Sequence, residues 1–222
     1  MDLALVLSFL KSLSKNNNRE WFDKHKPRYL EAKQNFDVFV SSFLDGLIVF
    51  DESLGGLDPK KLSFRIYRDV RFSKDKSPYK NNMGAGFSPN GKMVQEPGYY
   101  LHIQPGNNSM IAGGMYMPDA ENLSRIRQEI DYNGEALKKI MNDKKFKSAF
   151  GEFDQSDKLK NIPKGYDKDN PNGELLKLKS FTVSHIFTDK EVADKNFIKH
   201  AVAICKTMKP MNDYLKEAIV SG

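Results

Sequence analysis

From Leu62 to Met117, apolar side chains recur at every second position in short runs, and each run ends in residues that turn a chain. Leu62, Phe64 and Ile66 alternate with Ser63, Arg65 and Tyr67; Met83, Ala85 and Phe87 alternate with Asn82, Gly84 and Gly86; Tyr99, Leu101 and Ile103 alternate with Tyr100 and His102. A period of two belongs to strands with one buried face, so the stretch predicts a meander of about four strands. Ser88-Pro89-Asn90-Gly91 supplies one turn, and Pro105-Gly106-Asn107-Asn108 supplies another that leads into Met110 to Met117. Connections this short cannot carry a parallel crossover, so mostly antiparallel pairing is expected. Arg65, Tyr67, Tyr100 and His102 should then share the face turned away from the core.

Helical patterns lie on either side of the meander. After Pro27, Tyr29, Phe36, Phe39, Val40, Phe43, Leu44 and Leu47 recur at three- and four-residue intervals, the spacing of one buried helical face. Asn16 to Asn18 can cap a segment starting at Arg19, with Trp21 and Phe22 as core anchors. Met1 to Leu13 reads as an amphipathic helix and not a leader, because Asp2 and Lys11 flank its apolar run and no small-residue cleavage site follows. Pro118-Asp119 opens a helix through Ile126 and Ile130, residues 158–172 have the composition of a surface loop, and Leu176 to Phe187 fits a short strand or an extended connection. Thr188 and Glu191 form a capping box for a helix with Phe197, Ala201, Cys205 and Met208 on one face, which Pro210 is expected to stop before a short terminal helix. The expected fold is a single α+β domain over 1–222. It has a central, mostly antiparallel sheet of about four to six strands flanked by N- and C-terminal helices. Helices occupy 1–56, the meander and a basic motif 60–117, and a mainly helical part 118–222.

The charge is concentrated. Between Pro59 and Asn82, Lys60, Lys61, Arg65, Arg68, Arg71, Lys74, Lys76 and Lys80 stand against Asp69 and Asp75, a surplus equal to the formal net charge of +6 for all 222 residues. The rest of the chain is neutral in sum, so the basic character belongs to one place and favours phosphate- or carboxylate-bearing partners, nucleic acid included. Guanidinium forks hold such anions with paired hydrogen bonds, and lysines act as point charges. Arg65, Arg68, Arg71, Lys74, Lys76 and Lys80 are therefore the candidate anion-binding residues, with Asp69, Asp75, Tyr67 and Tyr100 in support. His102, Asp69 and Tyr79 are the candidates for moving a proton. Ser73, Ser77 and Pro78 would stiffen the loop.

Other chemistry finds no footing. His25, His185 and His200 have no ligand-like spacing, so no metal is expected. Gly84-Ala85-Gly86 lacks the third glycine of a dinucleotide fingerprint and no phosphate-loop Gly-Lys-Ser or Gly-Lys-Thr occurs, so no cofactor is expected either. Gly113-Gly114 fits a bulge or a close approach of a ligand to backbone. The single Cys205 falls on an apolar helix face as an inert thiol and cannot make an internal disulfide, which points to the cytoplasm. No apolar run reaches the ~18 residues of a membrane span.

Arg65, Arg68, Asp69, Arg71, Phe72, Asp75, Lys76 and Tyr79 form the pattern R-x-x-R-D-x-R-F followed by D-K-x-x-Y. This resembles the hallmark of the family called domain of unknown function 2461. Asn18-Arg19-Glu20-Trp21-Phe22, Gly98 to Ile103 and Gly113 to Pro118 are also similar to family segments, so the resemblance runs over nearly the full length. It implies one bacterial-type cytoplasmic domain and carries no catalytic assignment. Three readings stay open: a module binding an anionic small molecule or nucleic acid, an enzyme acting on a phosphorylated or carboxylated substrate with the arginines stabilising charge, and a structural or partner-docking protein. In the third, the arginines are stapled to Asp69, Asp75, Glu20 or Glu96.

Overall fold

A computed structural model describes residues 1–92 and 95–220 of the chain. Helix α1 (Leu3–Lys15) begins where the Asp2 carboxylate accepts the Ala4 N–H at 2.9 Å, and it buries Leu3, Val6, Leu7, Leu10 and Leu13 at helical spacing. Asn18 caps α2 (Arg19–Lys24) by accepting the Trp21 N–H at 2.9 Å. Pro27 sits in the first turn of α3 (Lys26–Ile48), where its missing N–H has no partner to lose. Phe36, Phe39, Val40, Phe43, Leu44 and Leu47 lie in the core as their periodicity predicts.

Strands β1 (Met83–Phe87), β2 (Gly98–Ile103), β3 (Ser109–Met115) and β4 (Phe181–Phe187) form an antiparallel sheet in the order β1-β2-β3-β4. Hydrogen bonds beyond its ends fix the β3–β4 direction: Asn107 pairs with Asp189, and Met117 donates to Ser180. After β3 come α4 (Ala120–Met141), capped by Asp119, then α5 (Lys144–Phe150) and the short α6 (Gly173–Leu176). After β4 come α7 (Asp189–Val192) and α8 (Phe197–Val220). The fold class is α+β, as expected.

Contacts divide the chain into two units, each assembled from three segments. The first comprises Met1–Lys92, Tyr100–Ile111 and Ile186–Ala203. Within it, Phe43 meets Phe87 edge-on at 5.3 Å, Phe39 stacks on Phe197 at 5.6 Å, and Phe197 meets Phe187 edge-on at 5.1 Å. The second comprises Met93–Tyr99, Ala112–His185 and Ile204–Gly222. There Asn172 donates to the Ile130 carbonyl at 2.8 Å, Asn212 to the Gly98 carbonyl at 3.2 Å and Arg127 to the Leu178 carbonyl at 3.0 Å.

Three expectations about secondary structure are corrected. Leu62 to Tyr67 is not a strand: Phe64 donates to the Gly84 carbonyl at 2.8 Å, but Ile66 instead accepts from Lys80 at 2.7 Å. The segment changes partner midway, so only isolated bridges form, at Ser63–Ala85 and Tyr67–Tyr79. The Thr188–Glu191 capping box is present but opens only α7, and α8 starts afresh at Phe197. Pro210 lies inside α8 without ending it, because Ala201, Cys205, Met208, Met211, Leu215 and Ala218 bury one continuous face across it. That burial outweighs the lost ladder hydrogen bond.

Gly113-Gly114 approaches the protein's own chain. A Cβ on Gly114, whose φ is +112°, would lie 1.9 Å from the Phe181 carbonyl oxygen, so β3 and β4 can pair there only through glycine. Gly114→Ala is expected to cost about 3 kcal/mol or more in chemical denaturation. Gly56→Ala, with no heavy atom within 4 Å of the added Cβ, should leave the midpoint near that of the parent.

Candidate functional site

The basic loop between Arg68 and Ser77 is tied to itself. Arg68 pairs with Asp75 and also donates to the Ser77 carbonyl and the Ser73 hydroxyl, each at 3.3 Å. Asp75 accepts from the Ser77 N–H at 2.9 Å and from its hydroxyl at 2.6 Å. Those Ser77 hydrogen bonds, reinforced by Arg68, hold the Asp75 carboxyl down to about 2. Arg71 forks onto Asp69 at 3.0 and 2.6 Å and holds that carboxyl below its ordinary range. Lys76 donates to the Val70 carbonyl at 3.0 Å, Lys74 is exposed, and Phe72 stands 96% exposed at the tip.

The base of the loop is anchored by α2 and by Asn17, two residues before it. Asn17 donates to the Tyr79 carbonyl at 2.9 Å and accepts the Tyr79 N–H at 3.1 Å, imitating a neighbouring strand. The Tyr79 ring stacks on buried Phe22 at 4.0 Å. Tyr67, 51% exposed, packs beside Tyr79 and Phe22 and so joins this aromatic group. Trp21 is only half-buried and stacks on His25 at 4.1 Å.

The three arginines read from the sequence as anion-binding candidates are differently engaged. Arg68 and Arg71 are each matched to a loop carboxylate. Arg65 is exposed, and its charge acts on both Asp69 and Lys80. Lys80 Nζ lies 5.6 Å from the Phe64 ring centroid and Lys92 Nζ 5.3 Å from it, so two ammonium groups share one aromatic ring. Lys92 also donates to the Ser63 carbonyl at 2.5 Å. Burial, followed by the Arg65 and Lys92 charges, lowers the pKa of Lys80. Among the described residues Arg65, Lys80 and Lys92 form no ion pair.

Beside this cluster β2 presents a polar chain. The Tyr100 hydroxyl lies 3.1 Å from His102 Nδ1, and His102 Nε2 lies 3.0 Å from Gln104 Oε1. The amide oxygen accepts, so Nε2 carries the proton and Nδ1 accepts from the phenol. Burial lowers the His102 pKa, the Gln104 hydrogen bond opposes that, and the Lys80 charge adds to it; the ring is neutral at pH 7. Gly84 makes room for this chain, because a Cβ there would lie 2.6 Å from the Tyr100 hydroxyl oxygen. Phe64 meets the Tyr100 ring edge-on at 6.1 Å.

A family model of conserved hypothetical proteins matches residues 5–214. The chain belongs to the family DUF2461. No curated protein and no solved structure matches it. In this DUF2461 protein, the motif that carries the resemblance is largely a self-contained clip: Arg68 with Asp75, Arg71 with Asp69, and Tyr79 held by Asn17 and Phe22. Lys92, Phe64 and Gln104 were not among the sequence candidates. The turn closed by Ser88 and Gly91, with mutual N–H to carbonyl bonds of 3.0 and 2.9 Å, was the available signal for Lys92. Among the described residues no group of His, Cys, Asp and Glu is arranged to hold a metal, and no helix is long and apolar enough to cross a membrane.

The clip has a pH signature. Asp75 is lowered from 3.8 to about 2 in the fold, so its contribution is present above pH 4 and is lost as pH falls through 2. Titrating the Asp75 carboxyl carbon by NMR should give a midpoint near 2, with the Ser77 amide moving in step. A midpoint near 3.8 would show that the clip does not form in solution. Because the pair is exposed, added salt should raise the midpoint.

Proposed function

We propose that this protein binds a small anion, a phosphate or carboxylate group, at Arg65, Lys80 and Lys92 beside the Tyr100–His102–Gln104 chain. The observation that carries the reading is the sharing of the Phe64 ring by Lys80 and Lys92, with the Arg65 charge acting on Lys80 and, among the described residues, no ion pair to any of the three. Like charges held together repel one another, and an anion seated among them turns that repulsion into attraction. The Tyr100 hydroxyl and the neutral imidazole provide oriented dipoles at the edge of such a seat. Arg68 and Arg71 keep the loop in shape, and their guanidinium groups are occupied by Asp75 and Asp69.

Calorimetric titration with inorganic phosphate tests this. Lys80→Ala and Lys92→Ala are each expected to weaken binding about tenfold, the loss typical of one charge-assisted hydrogen bond. Arg71→Ala should leave affinity within a factor of about two, since an exposed pair contributes little. An Arg71 dependence as strong as that of Lys80 would return the site to the loop and defeat this assignment.

The Tyr100–His102–Gln104 chain favours a second reading, an enzyme acting on the same class of ligand. A substrate hydroxyl presented to the Tyr100 oxygen would meet an acceptor whose own proton points at the His102 Nδ1 base. Turnover would then fall as pH drops through a group titrating below 6.5, and His102→Gln would remove that limb of the profile.

A further inference from the structure

The same face of the sheet continues away from the cations into apolar surface, all within the first unit. Leu101, Ile103, Ile111 and Phe187 are buried on the core side, so the strand alternation sends His102 on β2, Met110 on β3 and Ile186 on β4 to the opposite side. His102 and Met110 are half-buried, and Ile186 is 65% exposed. The β2–β3 turn is closed by Ser109, whose hydroxyl accepts the Gln104 N–H and donates to the Gln104 carbonyl, both at 3.0 Å. The Asn107–Asp189 pairing then sets Ile186 opposite Met110. Within the first unit the face therefore changes from the cations near β1 to neutral polar His102 and then to the apolar side chains of Met110 and Ile186.

We propose that the ligand of this face is an amphiphilic anion: a phosphate or carboxylate head among Arg65, Lys80 and Lys92, with an unbranched apolar tail crossing His102 and Met110 to Ile186. The inference rests on the anion site proposed above and adds the tail. Charge complementarity favours this occupant over the alternatives. A nucleic-acid strand needs cations along its whole track, and here they stop where β2 begins. A second copy of the chain would bring the same unpaired cations to the interface. Crossing from β2 to β4 takes two inter-strand steps of about 4.8 Å, which a tail of roughly eight carbons spans.

The test is calorimetry of the full chain with inorganic phosphate and with butyl, hexyl and octyl phosphate, each below its micellar concentration. Affinity is expected to rise about three- to fourfold for every methylene that is buried, up to the octyl compound. Ile186→Ser, a change at an exposed position, should flatten the dependence on tail length beyond hexyl and leave the phosphate affinity unchanged. Lys80→Ala should weaken every member of the series by the same factor. If phosphate binds through Lys80 but tail length changes nothing, the amphiphile inference falls and the anion site stands. If neither phosphate nor its esters respond to Lys80→Ala, the anion site itself falls. Binding confined to anionic phospholipid vesicles, without response to the monomeric esters, would make the face a membrane contact and overturn the proposal.

Discussion

Burial of Tyr99, Leu101 and Ile103 along one side of β2 decides what the other side can present. Because side chains alternate strictly, Tyr100 and His102 have no choice of face; a register slip of one residue would exchange them with the core. Their mutual hydrogen bond is then a product of spacing, since residues two apart on a strand stand side by side. Gly84 completes the arrangement by giving the Tyr100 ring a floor with no side chain on it. The polar chain is thus set by apolar packing on the far side of the backbone.

Counting charges along the chain overstates the number available to a ligand. The segment richest in arginine also holds the two carboxylates that neutralise Arg68 and Arg71, and both pairs close within the loop. Exposed pairs of this kind add little to stability. Their effect is conformational: with its polar groups satisfied internally, the loop keeps a defined shape while carrying Phe72 into solvent. Of the remaining cations, Lys80 and Lys92 come from separate places in the sequence and meet at one aromatic ring, and the Arg65 charge acts on Lys80.

Much of the architecture was legible in the sequence because it depends on periodicity. The helical face of α3, the strands β1 to β3, the Asp119 cap and the side-by-side placement of Tyr100 and His102 all follow from local spacing. What escaped depends on tertiary partners. Pro210 is a helix breaker by propensity, and only burial of the faces before and after it explains why α8 continues. Leu62 to Tyr67 has a strand pattern, and only its change of hydrogen-bonding partner at Ile66 shows why it is not one. Arg71 pairs two residues back and Arg68 seven residues ahead, separations that a turn decides and no periodicity encodes. Lys92 reaches Phe64 because a turn folds it back, which residue type alone does not announce.

The interleaving of the two units bears on how the chain comes to be folded. The first unit takes residues from 1–92, 100–111 and 186–203, and the last two residues of β4 and the start of α8 belong to the last of these. During synthesis the N-terminal helices can form early, but Phe39 waits for Phe197, which packs in turn on Phe187, before that core closes. Contacts so distant along the chain slow folding, because a long loop must be closed before the contact stabilises anything. A ribosome that stalls near residue 180 would therefore expose an incomplete aromatic core, a surface for chaperones or for aggregation.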